Sequence, residues 1–305
     1  MNEIEKDLIS KISDLHDVPQ GAYNIRLNGK LHSRNNTANI EIVSKPDGSG
    51  INIYVKDNTK NESLHIPVIV SANDLHDVVT NDFFIGENCD VLIVAGCGVH
   101  NSDSTTNGHD GIHTFYVGQN SKVVYIEKHL GVGNKKSSRI LNPTTVVNLS
   151  KNSSLNMQTI QLGGVSSANR TTKATLDQNS ILEIKESILT TDNETASTQF
   201  EVDLVGKNSK VNLVSRSVAK NKSSQHFVSK INGKTECFGH VECDAIIMDK
   251  ATVSSTPALN SLDSNATLSH EAMIGKIANE QVVKLQTLGL NEEQAVEKII
   301  KGFLK

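Results

Sequence analysis

A short Asn-Ser-x-apolar motif recurs along the middle of this chain and constrains its fold more than any other feature. Four copies begin at Asn120, Asn152, Asn179 and Asn208, and a variant with cysteine in the Ser position begins at Asn88. Successive copies lie 32, 32, 27 and 29 residues apart. A period in this range is typical of proteins that stack one structural unit on the next.

The residues that follow each motif alternate in the manner of a β-strand. After Asn120, for example, Val123 and Tyr125 fall on one face of the chain, and Val124 and Ile126 fall on the other. Helical stripes are missing between residues 85 and 260, and 4% aromatic residues are too few for propeller blades. We therefore predict a mainly β fold, a parallel β-helix over residues 40–265.

The repeated asparagine is suited to the corner of such a β-helix. Asparagine tolerates the left-handed backbone conformation that a sharp corner needs. Successive rungs of a β-helix are about 4.8 Å apart, so asparagine side chains at equivalent corners can hydrogen-bond to each other. The motif thus predicts a ladder of asparagines along one edge of the molecule.

The two ends of the chain have a different pattern. Residues 1–39 are predicted as a short amphipathic helix, with Ile4, Leu8, Ile9 and Ile12 on its apolar face, followed by a lead-in segment. Residues 266–305 are predicted as a helical subdomain whose first helix starts at about residue 269 and stops at Gly289. Its second helix starts with a capping box of Asn291 and Gln294. These helices either cap the open end of the β-helix or dock on a partner.

Composition excludes several classes of function. A formal net charge of -4 gives no basic field for nucleic acid. No apolar run is long enough for a membrane span, and the charged N-terminus does not resemble a signal peptide, so we expect a cytoplasmic location. Neither a phosphate-binding loop nor a nucleophile elbow is present, so any ATP hydrolysis would take place in a partner.

The four cysteines are too sparse for a disulfide scaffold, and alternation predicts where two of them point. Cys97 shares its parity with an apolar row, and Cys243 lies on the same face as its apolar neighbours, so a buried thiol is the first interpretation of both. Cys89 occupies the Ser position of the corner motif and is interpreted as a turn residue. Cys237 lies about 20 Å from Cys243 along an extended strand, too far to share a metal ion unless the chain turns between them.

Two histidine-containing segments are candidate metal sites on residue type alone. His270 and Glu271 are predicted at the start of the C-terminal helix, where they either bind iron or simply suit the helix dipole. His100, His109 and His113 share a polar stretch, but their spacing matches no compact site on one element. We interpret that stretch as a solvated loop.

The run from residue 233 to 305 resembles the C-terminal part of SufB and SufD, the scaffold proteins of iron-sulfur cluster assembly. The resemblance extends more loosely to residues 94–97 and 112–129, so that it covers about residues 80–305. The matching pieces, in chain order, are Cys243-Asp244, Pro257-x-Leu259, His270-Glu271-Ala272, Gly289-Leu290 and Gly302-Phe303.

This resemblance implies a right-handed parallel β-helix whose residues 269–305 dock on SufC, an ATPase of the ABC type. The cluster-site cysteine of the family corresponds to Cys243, its acidic ligand candidate to Glu271, with His270 beside it, and an upstream sulfur acceptor to Cys97. With both cysteines and the glutamate present, the chain is more similar to SufB than to SufD. It is shorter than typical SufB and looks like the compact SufB-like proteins of two-component systems, in which one scaffold forms a homodimer.

The function that the resemblance implies is a scaffold, not an enzyme. Transient iron-sulfur clusters would be assembled on it with sulfur from a donor and then handed to apo-proteins. The alternative is a SufD-like structural partner, or another β-helix interaction protein, without a cluster of its own.

Overall fold

The structure is a computed structural model that describes residues 1–13, 21–134, 136–161 and 163–305. It is a β-solenoid of about 8 turns with 60% of its residues in strands, which confirms the predicted β-helix. Residues 14–20 of the predicted lead-in segment lie outside the described residues. The helices of the described chain are α1 (Glu3–Ser13), which confirms the predicted N-terminal helix, α2 (Asn279–Gln286) and α3 (Glu292–Phe303).

Two long sheets form the walls of the solenoid. Sheet A contains, in spatial order, β2 (Lys30–Asn35), β1 (Ala22–Leu27), β5 (Lys60–Val70), β7 (Asp90–Asn101), β9 (Lys122–Gly133), β12 (Ser154–Gln161), β14 (Ile181–Thr190), β16 (Lys210–Ala219), β18 (Phe238–Ile247) and β20 (Thr267–Gly275). From β5 onwards, one rung of the opposite wall separates consecutive members of this sheet in the chain, so each turn adds one rung to each sheet.

Sheet B forms the opposite wall. It contains β19 (Thr252–Ser261), β17 (Ser224–Gly233), β15 (Thr195–Leu204), β13 (Ser167–Leu176), β10 (Ser138–Leu141), β8 (Thr106–Val117), β6 (His76–Ile85), β4 (Gly50–Val55) and β3 (Ile40–Ser44), with β11 (Thr144–Leu149) continuing the rung of β10. Pairing along both sheets is parallel, except for the antiparallel pairs β1–β2 and β3–β4 at the N-terminal end. Strand pairing thus extends beyond the predicted residues 40–265 in both directions.

The predicted start of the C-terminal helix at about residue 269 is wrong. Residues 267–275 form β20, which pairs in parallel with β18 from Phe238–Thr267 to Ile246–Gly275. The backbone N–H of Met273 also donates to the Asp244 carboxylate, at 3.1 Å. The stretch therefore adds a further rung, and α2 begins only at Asn279. The capping box of Asn291 and Gln294 is present at the start of α3, as predicted.

The predicted asparagine ladder is confirmed. All five motif asparagines have left-handed backbone conformations, with φ between 54° and 60°. The last four each donate the side-chain amide to the preceding asparagine, at distances of 3.3, 3.1, 2.9 and 3.1 Å for Asn120, Asn152, Asn179 and Asn208. The ladder fixes the corner at which each rung passes from sheet B to sheet A.

The interior between the sheets divides into an apolar half and a polar half. Next to the asparagine corner, buried residues such as Phe83, Phe115, Leu182 and Leu213 form one continuous apolar cluster. Towards the opposite corner, the inward positions carry histidine, glutamate, arginine, threonine and serine, together with a smaller apolar cluster that contains Cys97. The apolar half supplies the hydrophobic stabilisation of the solenoid, and the polar half contains the candidate functional residues.

Helix α1 covers the outside of the wall that carries Cys97. The glycines on both sides of this cysteine allow the approach, because a Cβ atom at Gly96 would lie 2.8 Å from the Ile12 carbonyl oxygen and one at Gly98 would lie 3.2 Å from Leu8 Cβ. The two glycines therefore make room for the helix outside the wall, not for a ligand beside the thiol.

The ladder can be tested at Asn152, which bonds to both neighbours. Asn152→Ala should lower the free energy of unfolding by about 2 kcal/mol, because it loses the ladder bonds and strains a left-handed backbone. Asn152→Gly removes only the bonds and should cost about 1 kcal/mol. Urea denaturation measures both, with Lys151→Ala in the same turn as an unchanged control. Equal losses in the two Asn152 variants would contradict the role of the left-handed conformation.

Candidate functional site

Cys243 lies in β18, where its side chain points into the solenoid. It is in register with Ser215 of β16 on one side and with Ala272 of β20 on the other. The residue is 2% exposed, and burial raises the pKa of its thiol to about 11, with Glu186 and Asp244 adding to the effect. The Ser255 hydroxyl across the interior opposes this rise, although its geometry falls short of a full hydrogen bond. The thiol is therefore protonated as long as this interior stays closed.

The structure separates His270 and Glu271 onto opposite faces of β20. His270 is in register with the buried Val241 and so belongs to the inward face, where its Nε2 has no hydrogen-bond partner among the residues that the structure describes. Glu271 is in register with Glu242, points outwards and is exposed. Within one chain, His270 thus shares the interior with Cys243, whereas Glu271 does not.

Cys97 lies in β7 and also faces the interior, in register with His129 of β9. Burial raises the pKa of its thiol well above the usual range, and the carboxylates of Asp77 and Glu127 act in the same direction. Cys89 is a buried turn residue, as predicted, with its sulfur 3.1 Å from the Lys56 carbonyl oxygen. Cys237 is also buried, and all four cysteines are free thiols.

A row of inward positions in sheet A connects the level of Cys97 to Cys243. In-register pairing aligns successive strands of this row from β7 to β20. Its members are Ala95, Glu127, Thr159, Glu186, Ser215, Cys243 and Ala272. The motif spacing was a signal from which this row could have been predicted, because its first five members each follow a motif asparagine by seven residues.

Arg170 connects the two glutamates of this row from the opposite wall. Its Nη1 lies 2.5 Å from Glu127 Oε2, and its Nε lies 3.8 Å from Glu186 Oε1. Although burial opposes ionisation, the charge of Arg170 keeps the pKa of Glu127 well below its usual range, whereas burial prevails at Glu186 and raises its pKa. Glu186 instead accepts hydrogen bonds from Ser215 at 2.8 Å and Thr198 at 3.0 Å. One glutamate thus balances the arginine charge, and the other lies next to the Cys243 region.

The interpretation of the histidine-rich stretch as a solvated loop is wrong. His109 and His113 are buried in β8 and point into the solenoid, and only His100, in β7, is partly exposed. Burial lowers the pKa of His113 to about 4, so it is neutral. Sequence spacing could not reveal this cluster, because its partners Glu127 and His129 come from the facing wall.

Nothing in the part of the chain that the structure describes forms a ready metal site, since no three His, Cys, Asp or Glu side chains converge in a geometry that could hold an ion. Cys243 and His270 share the interior near the open C-terminal end, but they are not a complete ligand set. Additional ligands would have to come from elsewhere.

These features define the class of the protein as a parallel β-solenoid with free thiols buried in its interior. The sequence model of the family described as "SUF system FeS cluster assembly, SufBD core domain" matches residues 71–303. The chain therefore belongs to the SufBD family of iron-sulfur cluster assembly proteins, as the resemblance implied.

Individual relatives agree with this assignment. An iron-sulfur cluster assembly SufBD family protein of Pyrococcus horikoshii is 26% identical over 287 residues, covering 90% of this chain and 84% of that protein. A second iron-sulfur cluster assembly SufBD family protein of the same organism is 29% identical, and the alignment covers 84% of this chain and 57% of that protein. The iron-sulfur cluster assembly protein SufB of Bacillus subtilis is 34% identical over 105 residues, 32% of this chain and 22% of that protein.

Across the described residues, no helix has the length and apolar character that a membrane crossing requires.

The buried histidines predict that the fold loses stability as the pH falls. The unfolded chain protonates His113 near pH 6.5, but the folded chain does so only near pH 4, so the unfolded state binds more protons in between. The free energy of unfolding should fall by about 1.4 kcal/mol per pH unit in this window. Glu186 has the opposite effect on the free energy of unfolding. Because its pKa is raised, the folded state binds a proton at a pH where the unfolded state does not.

Urea denaturation at about pH 7 and about pH 5 measures this dependence. His113→Gln should reduce the slope, leaving the part that comes from the buried His129, whereas His32→Gln on the exposed strand β2 should not change it. An unchanged slope in His113→Gln would show that this histidine is not the group that titrates.

Proposed function

We propose that this SufBD family member is a cytoplasmic scaffold, without enzyme activity of its own, on which iron-sulfur clusters are assembled and then handed to apo-proteins. The observation that carries the proposal is the buried polar row that runs from the level of Cys97 to Cys243. A solenoid needs only an apolar interior for stability, and burying charged groups is costly even when they are paired. A function inside the solenoid explains why these groups are there.

Cys243 is the proposed cluster ligand. Thiolates are the usual ligands of iron-sulfur clusters, whereas a histidine or carboxylate ligand binds iron more weakly and lets a nascent cluster leave. His270 and Glu271 are the proposed second ligands, with His270 favoured by its inward position. Cys97 is the proposed sulfur acceptor, at the other end of the polar row. Iron binding would remove the proton that the closed interior keeps on Cys243.

A homodimer through the last rung would supply the missing ligands. β19 and β20 end their sheets, so their backbone edges are unpaired on one side. Apolar side chains near this end are exposed, including Leu262 and Met273. Unpaired edges and exposed apolar groups favour association, and a second copy would bring its Glu271 and His270 to the same end. The Cys243 site would thus be completed between two copies.

The C-terminal residues 269–305 are the proposed docking region for a SufC-like ATPase of the ABC type. Helix α3 packs its Ile300 against Val218 and Ile246 on the outside of the solenoid. Helix α2 has no buried residue, and its Val283 is 55% exposed. Because α2 packs next to the anchored α3 without a fully buried residue, its exposed apolar side chains, such as Val283, are free to contact a partner. ATP-driven movement of these helices would then act on the end that holds Cys243.

Anaerobic reconstitution with iron and sulfide tests the ligands. Cys243→Ala should lose the cluster absorption, and Glu271→Ala and His270→Ala should weaken cluster retention according to which residue binds iron. Cys89→Ser is the matched control, because serine occupies the same corner position in the other motif copies. The same spectrum from wild type and Cys243→Ala would contradict the scaffold and favour the SufD-like alternative.

Co-purification with the ATPase tests the docking region. Val283→Asp should reduce binding at least about tenfold, because it places a charge in an apolar contact. Val78→Asp, on the 53% exposed Val78 of β6, is the control and should bind normally. Removal of residues 279–305 should abolish binding while β20 keeps the last rung paired. Full binding by this truncated chain would exclude α2 and α3 as the docking site.

A further inference from the structure

The cavity around Cys97 brings together titratable side chains from both walls of the solenoid. It has a volume of about 10 Å³, close to the space that one water molecule needs. Cys97 lines it from β7, Glu127 and His129 from β9, and His109 and His113 from β8 of the opposite wall. Because burial raises the pKa of the Cys97 thiol, a reaction of this sulfur needs a group that takes its proton.

Three of the four groups around the thiol are poorly suited to accept its proton. Although burial opposes ionisation, the charge of Arg170 keeps the pKa of Glu127 well below its usual range, so this carboxylate is a weak base. The Nδ1 of His129 accepts from Arg170 Nη2 at 3.1 Å, so its Nε2 carries the ring hydrogen. His113 uses both ring nitrogens in hydrogen bonds, at 2.7 and 3.3 Å. His109 is the group that remains.

The ring of His109 has one nitrogen held by a carboxylate and the other facing the cavity. Its Nδ1 lies 3.3 Å from Asp77 Oδ2, although the alignment falls short of a full hydrogen bond. An ionised carboxylate only accepts, so Nδ1 carries the hydrogen and Nε2 has the free lone pair. Nε2 has no hydrogen-bond partner in the described part of the chain. Gly111 keeps the space before it open, since a Cβ atom there would lie 3.2 Å from Nε2.

Arg26 fixes the Asp77 carboxylate from its other side. The Nε and Nη2 of Arg26 donate to both carboxylate oxygens, at 2.9 and 2.8 Å, and Asp77 is 5% exposed. Although burial opposes ionisation, the contacts with His109 and Arg26 keep the pKa of Asp77 below its usual range. Because Arg26 already balances the charge of Asp77, His109 is neutral at rest and gains a proton only when a second negative charge develops beside it.

We infer that His109 is the general base that takes the proton of Cys97 when this thiol reacts, with Asp77 and Arg26 as positioning residues. A carboxylate that orients an imidazole, and an imidazole that activates a nucleophile, is a recurrent arrangement for covalent chemistry. The proton reaches Nε2 through the cavity, whose volume fits one water molecule. The new charges on sulfur and imidazole are opposite, so the buried site stays balanced during the transfer.

The inference rests on the proposed function only for the reaction that the thiol undergoes. With a persulfide as sulfur donor, the Cys97 sulfur forms a bond to the terminal sulfur while the S–S bond of the donor breaks. The donor leaves as a thiol with the proton that His109 took from Cys97. One sulfur atom moves from one thiol to another, so the step needs no external oxidant or reductant.

The pH dependence of thiol labelling tests the base without any step of cluster assembly. Methyl methanethiosulfonate is a small neutral reagent that forms a mixed disulfide with a thiol, and mass spectrometry of the Cys97 peptide gives its rate in the full chain. Without a base the rate should rise about tenfold per pH unit, because only the thiolate reacts. His109→Gln should follow this slope. The wild type should have a flatter profile and react at least about tenfold faster at about pH 7.

His76→Gln is the matched control for the histidine change. His76 precedes Asp77 in β6 but points outwards, with its Nε2 2.8 Å from Asp110 Oδ2. This variant should label Cys97 like the wild type. The same pH dependence in the wild type and His109→Gln would overturn the base.

Cys89 is an internal control for loss of structure. It is also buried, but its sulfur contacts the Lys56 carbonyl oxygen instead of a histidine. Its labelling should be equal in the wild type and His109→Gln, whereas a damaged fold would expose Cys89 and Cys97 together and speed up both.

The ¹⁵N NMR signals of the His109 ring test the positioning role of Asp77. The wild type should carry the ring hydrogen on Nδ1. Asp77→Asn should lose this preference and label Cys97 at least about tenfold more slowly, whereas Asp110→Asn, which changes the outward partner of His76, should do neither. A wild-type ring with its hydrogen on Nε2 would overturn the assignment.

Transfer from a small persulfide distinguishes a failure of the base from a failure of the proposed function. Mass spectrometry should find one added sulfur on Cys97 in the wild type, formed at least about tenfold more slowly in His109→Gln. If Cys97 takes up sulfur equally fast in both, only the base is excluded. If labelling has the predicted pH dependence but Cys97 takes up no sulfur, only its role as sulfur acceptor is excluded.

Discussion

Parallel, in-register hydrogen bonding between successive rungs determines how this solenoid is built. Between β14 and β16 it aligns ten consecutive residue pairs, from Ile181–Lys210 to Thr190–Ala219. Equivalent residues of successive rungs therefore point to the same side of the wall and occupy the same position in the cross-section of the solenoid. The asparagine ladder holds the corner at which this register is set. Distant residues become neighbours because the chain returns to the same place every turn.

This architecture separates stability from chemistry within one interior. The half next to the asparagine corner is apolar and continuous along the solenoid, so it can stabilise the fold alone. The other half contains Arg170 with Glu127 and Glu186, a buried ionic group that contributes less than an apolar core would. Cys243 belongs to the apolar cluster and Cys97 to a smaller one, and both lie beside groups of this polar half. The free energy that this buried ionic group costs is consistent with a role for the interior in the iron-sulfur chemistry of the SufBD family.

Local patterns predicted the elements that depend on neighbouring residues. The asparagine corners, helix α1, the capping box of α3 and the inward direction of Cys97 and Cys243 all follow from short-range periodicity and turn chemistry. The two wrong predictions depended on distant partners. The stretch around His270 is a strand because β18 offers it an edge to pair with, and the inward His113 of β8 has a buried hydrogen-bond partner in Tyr125 of β9. Neither partner is visible in a local window.

Repeat spacing and alternation are properties of the chain alone, so they were enough to predict a β-solenoid and the positions of its corners, and the matching C-terminal motifs indicated its family. Which side chains meet across the interior follows from the folded structure. Folding brings Arg170 between two glutamates and places Cys243 and His270, but not Glu271, on the same face. Such contacts depend on how the two sheets are aligned across the interior, and this alignment depends on the lengths of several corners at once.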